Sequence, residues 1–337
     1  MTGPQATPNA ALRQLIEGYR VSQMIFVAAE LGIADLLADG PRHCVEIASA
    51  TRTDAPTLFR LMRALASAGV FARVDGDLFT LTPLSDCLRT GVAGSLRPWA
   101  VLNGRRLYPT WAHLDHSIAT GDTAFDHLHG ISVWEYLERD PEEGRVFHDA
   151  MAANITHVAG SVVNSYDFSR FGTLVDVGGG KGALIQAVLT ANPELLGILF
   201  DVPAAIREAA ASFALAGLTG RCQLLKGSFF ESVPAGGDAY VLSRILHDWH
   251  DDQAIHILKS TRGAMTGGGT LLIIERVLDT HNPSIESTHS DIHMLVMTGG
   301  RERTAAEFQT LLAASDFALV RVIPTSSLVH IIEAVPA

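Results

Sequence analysis

The segment Leu174-Val175-Asp176-Val177-Gly178-Gly179-Gly180-Lys181-Gly182 decides how this chain is read. An aliphatic, β-branched run turns through four glycines into Ala183-Leu184-Ile185-Gln186-Ala187-Val188-Leu189, whose apolar residues recur at helical spacing. That order predicts strand, tight turn and helix. Glycines at 178, 180 and 182 admit positive φ and omit the Cβ atoms that hold a ligand off the backbone, while the helix offers free N–H groups at its start. A second aliphatic run, Gly197 to Phe200, ends in Asp201. An acid at the tip of a second strand can accept hydrogen bonds from both hydroxyls of a ribose, so a nucleotide-like cofactor is expected here. Gly178, Gly180 and Ala183 also satisfy the G-x-G-x-x-A fingerprint, which leaves a nicotinamide oxidoreductase open at this point.

Downstream the strand and helix alternation continues. Gln223–Leu225 leads to Gly227-Ser228-Phe229-Phe230, and Asp238–Leu242 leads to Ser243, Arg244, His247, Asp248 and Trp249. A fifth strand spans Thr270–Glu275, helices are expected around Ser290–Met297 and from Thr304 through Ala314, and the chain closes on two strand-like runs, Ala318–Ile323 and Leu328–Ala334. Those last runs lie only about four residues apart, so they must form an antiparallel hairpin, because a parallel return needs a crossover of a dozen or more residues. Nicotinamide-binding sheets are essentially parallel throughout, and the hairpin counts against them.

Upstream, residues 1–10 read as a loose tail. Leu12–Leu37 reads as two helices broken at Gly32, Val45–Ala50 as a short helix, and Asp54 as the cap of a helix running to about Ala68. Val70–Val74 and Leu78–Leu81 flank the turn Asp75-Gly76-Asp77, which completes the outline of a winged helix. Between Pro41 and Thr90 six arginines face five acids, and the third helix shows only Arg60 and Arg63 among apolar residues. A groove reader would present a basic, polar face, so an apolar interface fits better than DNA. Arg97 to Ser161 is helical again and concentrates Trp99, Trp111, Trp134, Tyr136, Phe147 and Met151, a pattern of core or of pocket wall.

The 337 residues suffice for two domains, and the net charge of −11 argues against a phosphate-backbone partner. Cys44, Cys87 and Cys222 show no metal spacing and suit a reducing compartment. No basic start with an apolar core marks a signal peptide and no long apolar run marks a membrane span, so a cytoplasmic protein is expected. An apolar content of 47% points to helical surface covered by another subunit.

His247-Asp248-Trp249, taken with Asp176–Gly182, Phe200-Asp201-Val202-Pro203, Gly227–Phe230 and Gly299-Gly300-Arg301-Glu302-Arg303-Thr304, resembles the S-adenosylmethionine-dependent O-methyltransferases of the plant caffeate and acetylserotonin type, closest to their bacterial relatives in natural-product biosynthesis. The resemblance runs from about Leu12 to Glu333. It implies a Rossmann-like α/β domain of seven strands with a terminal antiparallel hairpin, preceded by a mainly α, winged-helix-like domain that makes a homodimer. The organisation expected is a flexible tail over 1–10, the dimerisation domain over 11–100, a helical segment contributing to the substrate pocket over 101–160 and the S-adenosylmethionine domain over 161–337. Carried over, Gly178, Asp201, Gly227, Ser228, Phe229, Ser243 and Arg244 would bind the cofactor. His247 would be the catalytic base, with Glu275 and Glu302 holding it. Many relatives have Asp in place of Ser228 and Lys in place of Ser243 or Arg244.

Phe147, Met151, Asn154, Ile292, His293 and Met297 would wall the acceptor pocket and suit a flat aromatic with a phenol or enol hydroxyl. Some bacterial relatives methylate ring nitrogen and lack the histidine, so its presence favours oxygen, with N-methylation or dual O/N specificity on a heteroaromatic left open as the alternative. The crowding of His247, Asp248, His250, Asp251 and Asp252, with His289 and His293 at i and i+4, raises a metal site. Asp251 and Asp252 fit better as acids at a helix start, and the resembled family is metal-independent, so no metal is expected.

Overall fold

A computed structural model of the chain describes residues 7–337 apart from Ala93 and the side chains of Asn154, Thr156 and His157. Most of the tail expected over 1–10 lies outside the described residues, but Pro8–Ala10 are already helical. Thr7 accepts from the N–H of Ala10, and proline is pre-organised for a first turn, which starts the helix earlier than composition suggested. The chain folds as two units, 1–109 and 110–337.

The first unit is mainly helical. Helices Pro8–Glu17, Tyr19–Glu30 and Ile33–Leu36 are followed by strand β1 (Arg42–His43), helices Cys44–Thr51 and Ala55–Ser67, and the hairpin β2 (Phe71–Asp75) and β3 (Leu78–Leu81). The small sheet has the order β1-β3-β2, all antiparallel. The third long helix begins as expected at Asp54, whose carboxylate accepts from the N–H of Thr57. The first break falls at Gly18 as well as at Gly32, so the run read as two helices forms three. Ile33, Ile47, Met62, Leu65, Phe71 and Phe79 form a core that excludes water, whereas Leu15 is 79% exposed and Ile16 64% exposed.

The second unit carries, in chain order, strands β4 (Thr173–Val177), β5 (Leu196–Asp201), β6 (Cys222–Lys226), β7 (Ala239–Ser243), β8 (Thr270–Glu275), β9 (Val277–Leu278), β10 (Arg303–Thr304), β11 (Phe317–Pro324) and β12 (His330–Pro336). Seven of them form the main sheet, in the order β11-β12-β8-β7-β4-β5-β6. The five strands from β8 to β6 run parallel, and β12 lies antiparallel to both β8 and β11, as the short final connection requires. Helix Ala183–Ala191 packs Leu184, Ile185, Val188 and Leu189 on one face of the sheet, and Ile257, Leu258, Phe308 and Leu312 cover the other. Strands buried on both faces read as the continuous apolar runs seen in the sequence.

The remaining two strands, β9 and β10, pair in parallel outside the main sheet. Their local sequence carries no strand signal, and they were not expected. The helix expected around Ser290–Met297 starts earlier, at Ile285, because the Ser284 hydroxyl accepts from the N–H of Ser287. Among the described residues no helix is long and apolar enough to cross a membrane.

Asp176, on β4, is 1% exposed. Burial, then the charge of Asp201, pushes its carboxyl up to about 7, against the N–H of Ile185. A carboxyl raised in the folded chain binds its proton more tightly there than in the unfolded chain. Its contribution to stability is therefore present below the ordinary aspartate range and lost as pH rises through about 7. Asp176→Asn should be more stable than the wild type at about pH 8, by roughly 2–4 kcal/mol, with the difference shrinking toward about pH 5. Thermal unfolding of both proteins across this range checks it, and parallel curves would refute it.

Candidate active site

The carboxyl ends of β4 to β7 are where an open parallel sheet binds its ligand. After β4 the chain turns at Gly178 with φ +72°, its N–H donating to Phe200 O at 2.7 Å. A Cβ there would lie 2.6 Å from Ile245 Cδ1, so the turn admits no side chain. Asp201 ends β5; its Oδ2 accepts from the N–H of Gly180 at 2.7 Å and its Oδ1 from the N–H of Val202 at 2.6 Å. Burial pushes this carboxyl up, opposed by the same two N–H groups.

Beyond β6, Gly227 donates its N–H to Asp201 O at 3.0 Å and Ser228 Oγ accepts from Phe230 N–H at 3.2 Å. Phe229 stands edge-on to Phe230 and Trp249, and Trp249 stacks on Trp134 with ring centroids 5.4 Å apart. Ser243 ends β7 with a buried Oγ that has no hydrogen-bond partner among the described residues. A carboxylate for hydroxyls, aromatic edges for a base and an unpartnered hydroxyl together fit a nucleoside with a polar tail. Lys181, in the turn itself, reaches Asp149 at 2.6 Å and Glu208 at 2.7 Å, joining helices Pro141–Ser165 and Pro203–Leu215 across it.

His247 sits in the single turn Leu246–Asp248 that follows β7, 4% exposed. Glu275, the last residue of β8, accepts with Oε1 from the N–H groups of Leu246 at 2.9 Å and His247 at 3.3 Å. From the other side, Arg301 N–H donates to His247 O at 2.8 Å, and a Cβ on Gly300 would lie 2.0 Å from that oxygen. Arg303 is fully buried: Nη1 donates to Leu246 O and Nη2 to Trp249 O, each at 2.8 Å, while Nε reaches Asp251 Oδ1 at 3.0 Å. The β9–β10 pairing sets Arg303 opposite Val277, and so brings Glu302 beside the residues that follow β8.

The imidazole lies between two acids. Its Nδ1 is 3.2 Å from Glu302 Oε1 and 3.5 Å from Glu275 Oε2, while Nε2 lies 3.7 Å from Asp248 Oδ1. Burial alone would lower the His247 pKa, but the charges of Glu275, Asp248 and Glu302 outweigh it and push it up to about 9. Burial works to raise Glu302 too, yet hydrogen bonds from His247 and from Ser290, at 2.7 Å, hold it low, helped by the charge of Arg276. Burial wins at Glu275, which is pushed up. Glu302 is thus the charged partner of the imidazolium.

Helix Ile285–Met297 carries Ile292, His293 and Met297. Burial, then the charges of His247, Arg244 and Arg276, holds His293 down to about 4. Trp111 Nε1–H donates to its Nδ1 at 3.1 Å, so the neutral ring keeps its proton on Nε2. Phe147, on helix Pro141–Ser165, meets Trp134 edge-on and through it Trp249; Met151 is one turn on, and the side chain of Asn154 lies outside the described residues. Arg244 places its charge among Arg276, Glu275, Asp248 and Glu302.

The histidine and aspartate crowd does not converge. Asp251 is bound to Arg303, and His250 and His289 are exposed. Among the described residues the one cluster of three groups able to hold a metal is His247, Glu275 and Glu302, within 4.8 Å of one another. Its Glu302 oxygen already accepts from His247 and Ser290. Sequence reasoning gave no site role to Arg303, Ser290 or Arg276 and read Trp111 only as core or pocket wall; of these, only the arginine next to Glu302 lay inside a motif that carried the resemblance.

Two families match this chain: an O-methyltransferase domain over 111–318 and an O-methyltransferase dimerisation domain over 13–91. A phenazine O-methyltransferase of Lysobacter antibioticus is 47% identical over 328 residues, covering 97% of this chain and 96% of that protein. An O-methyltransferase from neocarzinostatin biosynthesis, solved with S-adenosylmethionine and 2-hydroxy-5-methyl naphthoic acid, superimposes with a TM-score of 0.81 at 37% identity over 94% of this chain and 96% of that one. Human N-acetylserotonin methyltransferase, solved with S-adenosylmethionine, gives a TM-score of 0.93 at 27% identity with both chains covered in full. With its larger unit matched almost throughout and a relative so similar from end to end, the chain belongs to the O-methyltransferase family.

Proposed function

We propose that this chain transfers the methyl group of S-adenosyl-L-methionine to a hydroxyl of a small aromatic natural product, releasing S-adenosyl-L-homocysteine, with His247 as general base. The observation that carries this reading is the buried imidazole whose Nδ1 faces Glu302 and Glu275 while Nε2 makes no hydrogen bond with them. When bound, the cofactor supplies a methyl group already activated by its sulfonium. Gly178, Asp201, Gly227, Ser228, Phe229, Ser243 and Arg244 form the surface that would hold it.

The remaining work falls to the chain. An oxygen has to be aligned with the methyl group and relieved of its proton. Alignment can supply about 7–11 kcal/mol, whereas a positioned base adds about 10²- to 10⁴-fold, roughly 3–5 kcal/mol. Positioning therefore contributes more than proton removal. Glu302 fixes the His247 tautomer with the proton on Nδ1 and stabilises the imidazolium formed at Nε2. Phe147, Met151, Ile292, His293 and Met297 form the apolar surroundings of a flat acceptor. Relatives named for a phenazine and solved with a hydroxylated naphthoic acid support a fused aromatic of that kind.

The first unit serves as the dimerisation domain of a homodimer, which accounts for the exposed Leu12, Leu15 and Ile16 on its first helix. Nothing in its charge favours nucleic acid, and free Cys44, Cys87 and Cys222 suit the cytoplasm.

His247→Ala should bind S-adenosylhomocysteine as the wild type does, by calorimetry, while methyl transfer to a hydroxyphenazine falls by about 10²- to 10⁴-fold; unchanged turnover would remove His247 from the mechanism. The pH profile offers a second test. An imidazolium held up to about 9 must lose its proton before it can act, so kcat/KM should rise with pH from neutrality toward that value. Glu302→Gln removes a charge that raises His247, so the rising limb should move to lower pH while kcat falls by about 10- to 100-fold. A limb that stays in place would show that another group sets it.

A further inference from the structure

Resting on the methyl-transfer reading, we propose that Trp111 and His293 together present a fixed N–H donor to the methyl acceptor, so that the preferred substrate carries a ring nitrogen or carbonyl oxygen next to the hydroxyl that is methylated. An indole nitrogen can only donate. Trp111 Nε1–H reaches His293 Nδ1 at 3.1 Å, with the two rings within 12° of parallel. Nδ1 therefore offers its lone pair to the indole, and Nε2 carries the proton. Among the described residues nothing accepts from that Nε2–H, and the half-buried ring is not sealed from solvent.

The helix Ile285–Met297 sets this donor beside the base. Residues three apart share a helix face. Ser290, three before His293, donates its hydroxyl to Glu302 Oε1 at 2.7 Å, and the same oxygen lies 3.2 Å from His247 Nδ1. Asp291 Oδ1 accepts from Glu302 N–H at 2.9 Å, which pins the helix to the segment carrying that acid. His293 thus stands one turn along from a residue that touches the base's own partner. Burial, then the charges of His247, Arg244 and Arg276, keeps the ring neutral. With Nδ1 engaged by Trp111 and Nε2 already protonated, it does not compete with His247 for the substrate proton.

An aromatic hydroxyl next to a ring nitrogen or carbonyl donates to that atom within the free molecule, which turns its proton away from a base. When His293 Nε2–H takes the atom instead, the hydroxyl is released to His247 Nε2. The proton then passes to His247, the oxygen forms its bond to the methyl carbon, and the carbon–sulfur bond breaks to leave the neutral thioether. A substrate with C–H in place of the nitrogen leaves the donor unpaired once a flat ring has displaced water from it, and an unmade hydrogen bond of this kind costs affinity.

The test titrates the S-adenosylhomocysteine complex with three compounds. They are 8-hydroxyquinoline, 1-naphthol, which has C–H where that nitrogen stands, and 5-hydroxyquinoline, whose nitrogen lies away from the hydroxyl. The wild type should bind 8-hydroxyquinoline about tenfold more tightly than either of the others. His293→Phe should erase that preference, weakening 8-hydroxyquinoline about tenfold more than 1-naphthol. His293→Gln, whose amide N–H stands in for Nε2–H, should restore part of it, and Trp111→Phe, which frees the tautomer, should reduce it. Folding of each variant is checked by its melting curve and its affinity for S-adenosylhomocysteine. No preference in the wild type, equal weakening of all three compounds in His293→Phe, or a preference untouched by Trp111→Phe overturns the proposal. A parallel turnover assay separates the two readings: preferential binding of 8-hydroxyquinoline with no methyl transfer to any of the three retains the donor and refutes the reaction, whereas methyl transfer without the preference does the reverse.

Discussion

The site depends on the hold that Arg303 has on the turn carrying His247. Its guanidinium is buried, and it donates to the carbonyls of Leu246 and Trp249, on either side of the histidine, while pairing with Asp251 at the start of the next helix. Buried carbonyls without donors are costly, and a short irregular turn leaves several. One arginine satisfies two of them and brings its own chain neighbours with it. Glu302 is the residue before it, and Arg301, two before, donates its N–H to His247 O. The glycine at 300 follows from the same contact, because the two backbones approach too closely for any side chain.

This arrangement explains why two acids of the same type behave differently. Glu275 spends one oxygen on backbone N–H groups, which positions the turn but does little to compensate its charge, and it is pushed up. Glu302 accepts from an imidazole and a hydroxyl and lies near Arg276, and it is held low. The first acid orients the backbone and the second orients the ring. A single carboxylate would have to do both, and it could not face the turn's N–H groups and Nδ1 with equal geometry.

The sheet was legible in the sequence because its information is local. Apolar runs buried on both faces, the glycine turn after β4, Asp201 at the end of β5 and the short final connection each report on residues within about a dozen positions of one another. The surroundings of His247 were not legible in the same way. His293 owes its tautomer to Trp111, 182 residues away in sequence, and neither residue signals the other. Glu275 and Glu302 meet because of a two-residue parallel pairing, β9 with β10, which is too short to leave a periodic pattern. The i, i+4 histidines suggested a metal pair, but the helix exposes His289 and stacks His293 on Trp111, so spacing on a helix face did not amount to convergence.

The same contrast separates two kinds of chemistry within one site. Residues at the carboxyl ends of β4, β5 and β6 are set by their own strands and offer backbone groups, a carboxylate and an aromatic edge, a surface suited to one invariant ligand. The surroundings of His247 are assembled from β8, β10, the helix Ile285–Met297 and a tryptophan at the start of the second unit, each joined through side chains. Changing one of those side chains alters the surroundings of His247 without disturbing a strand, so this half of the site can vary while the strand-borne half stays as it is.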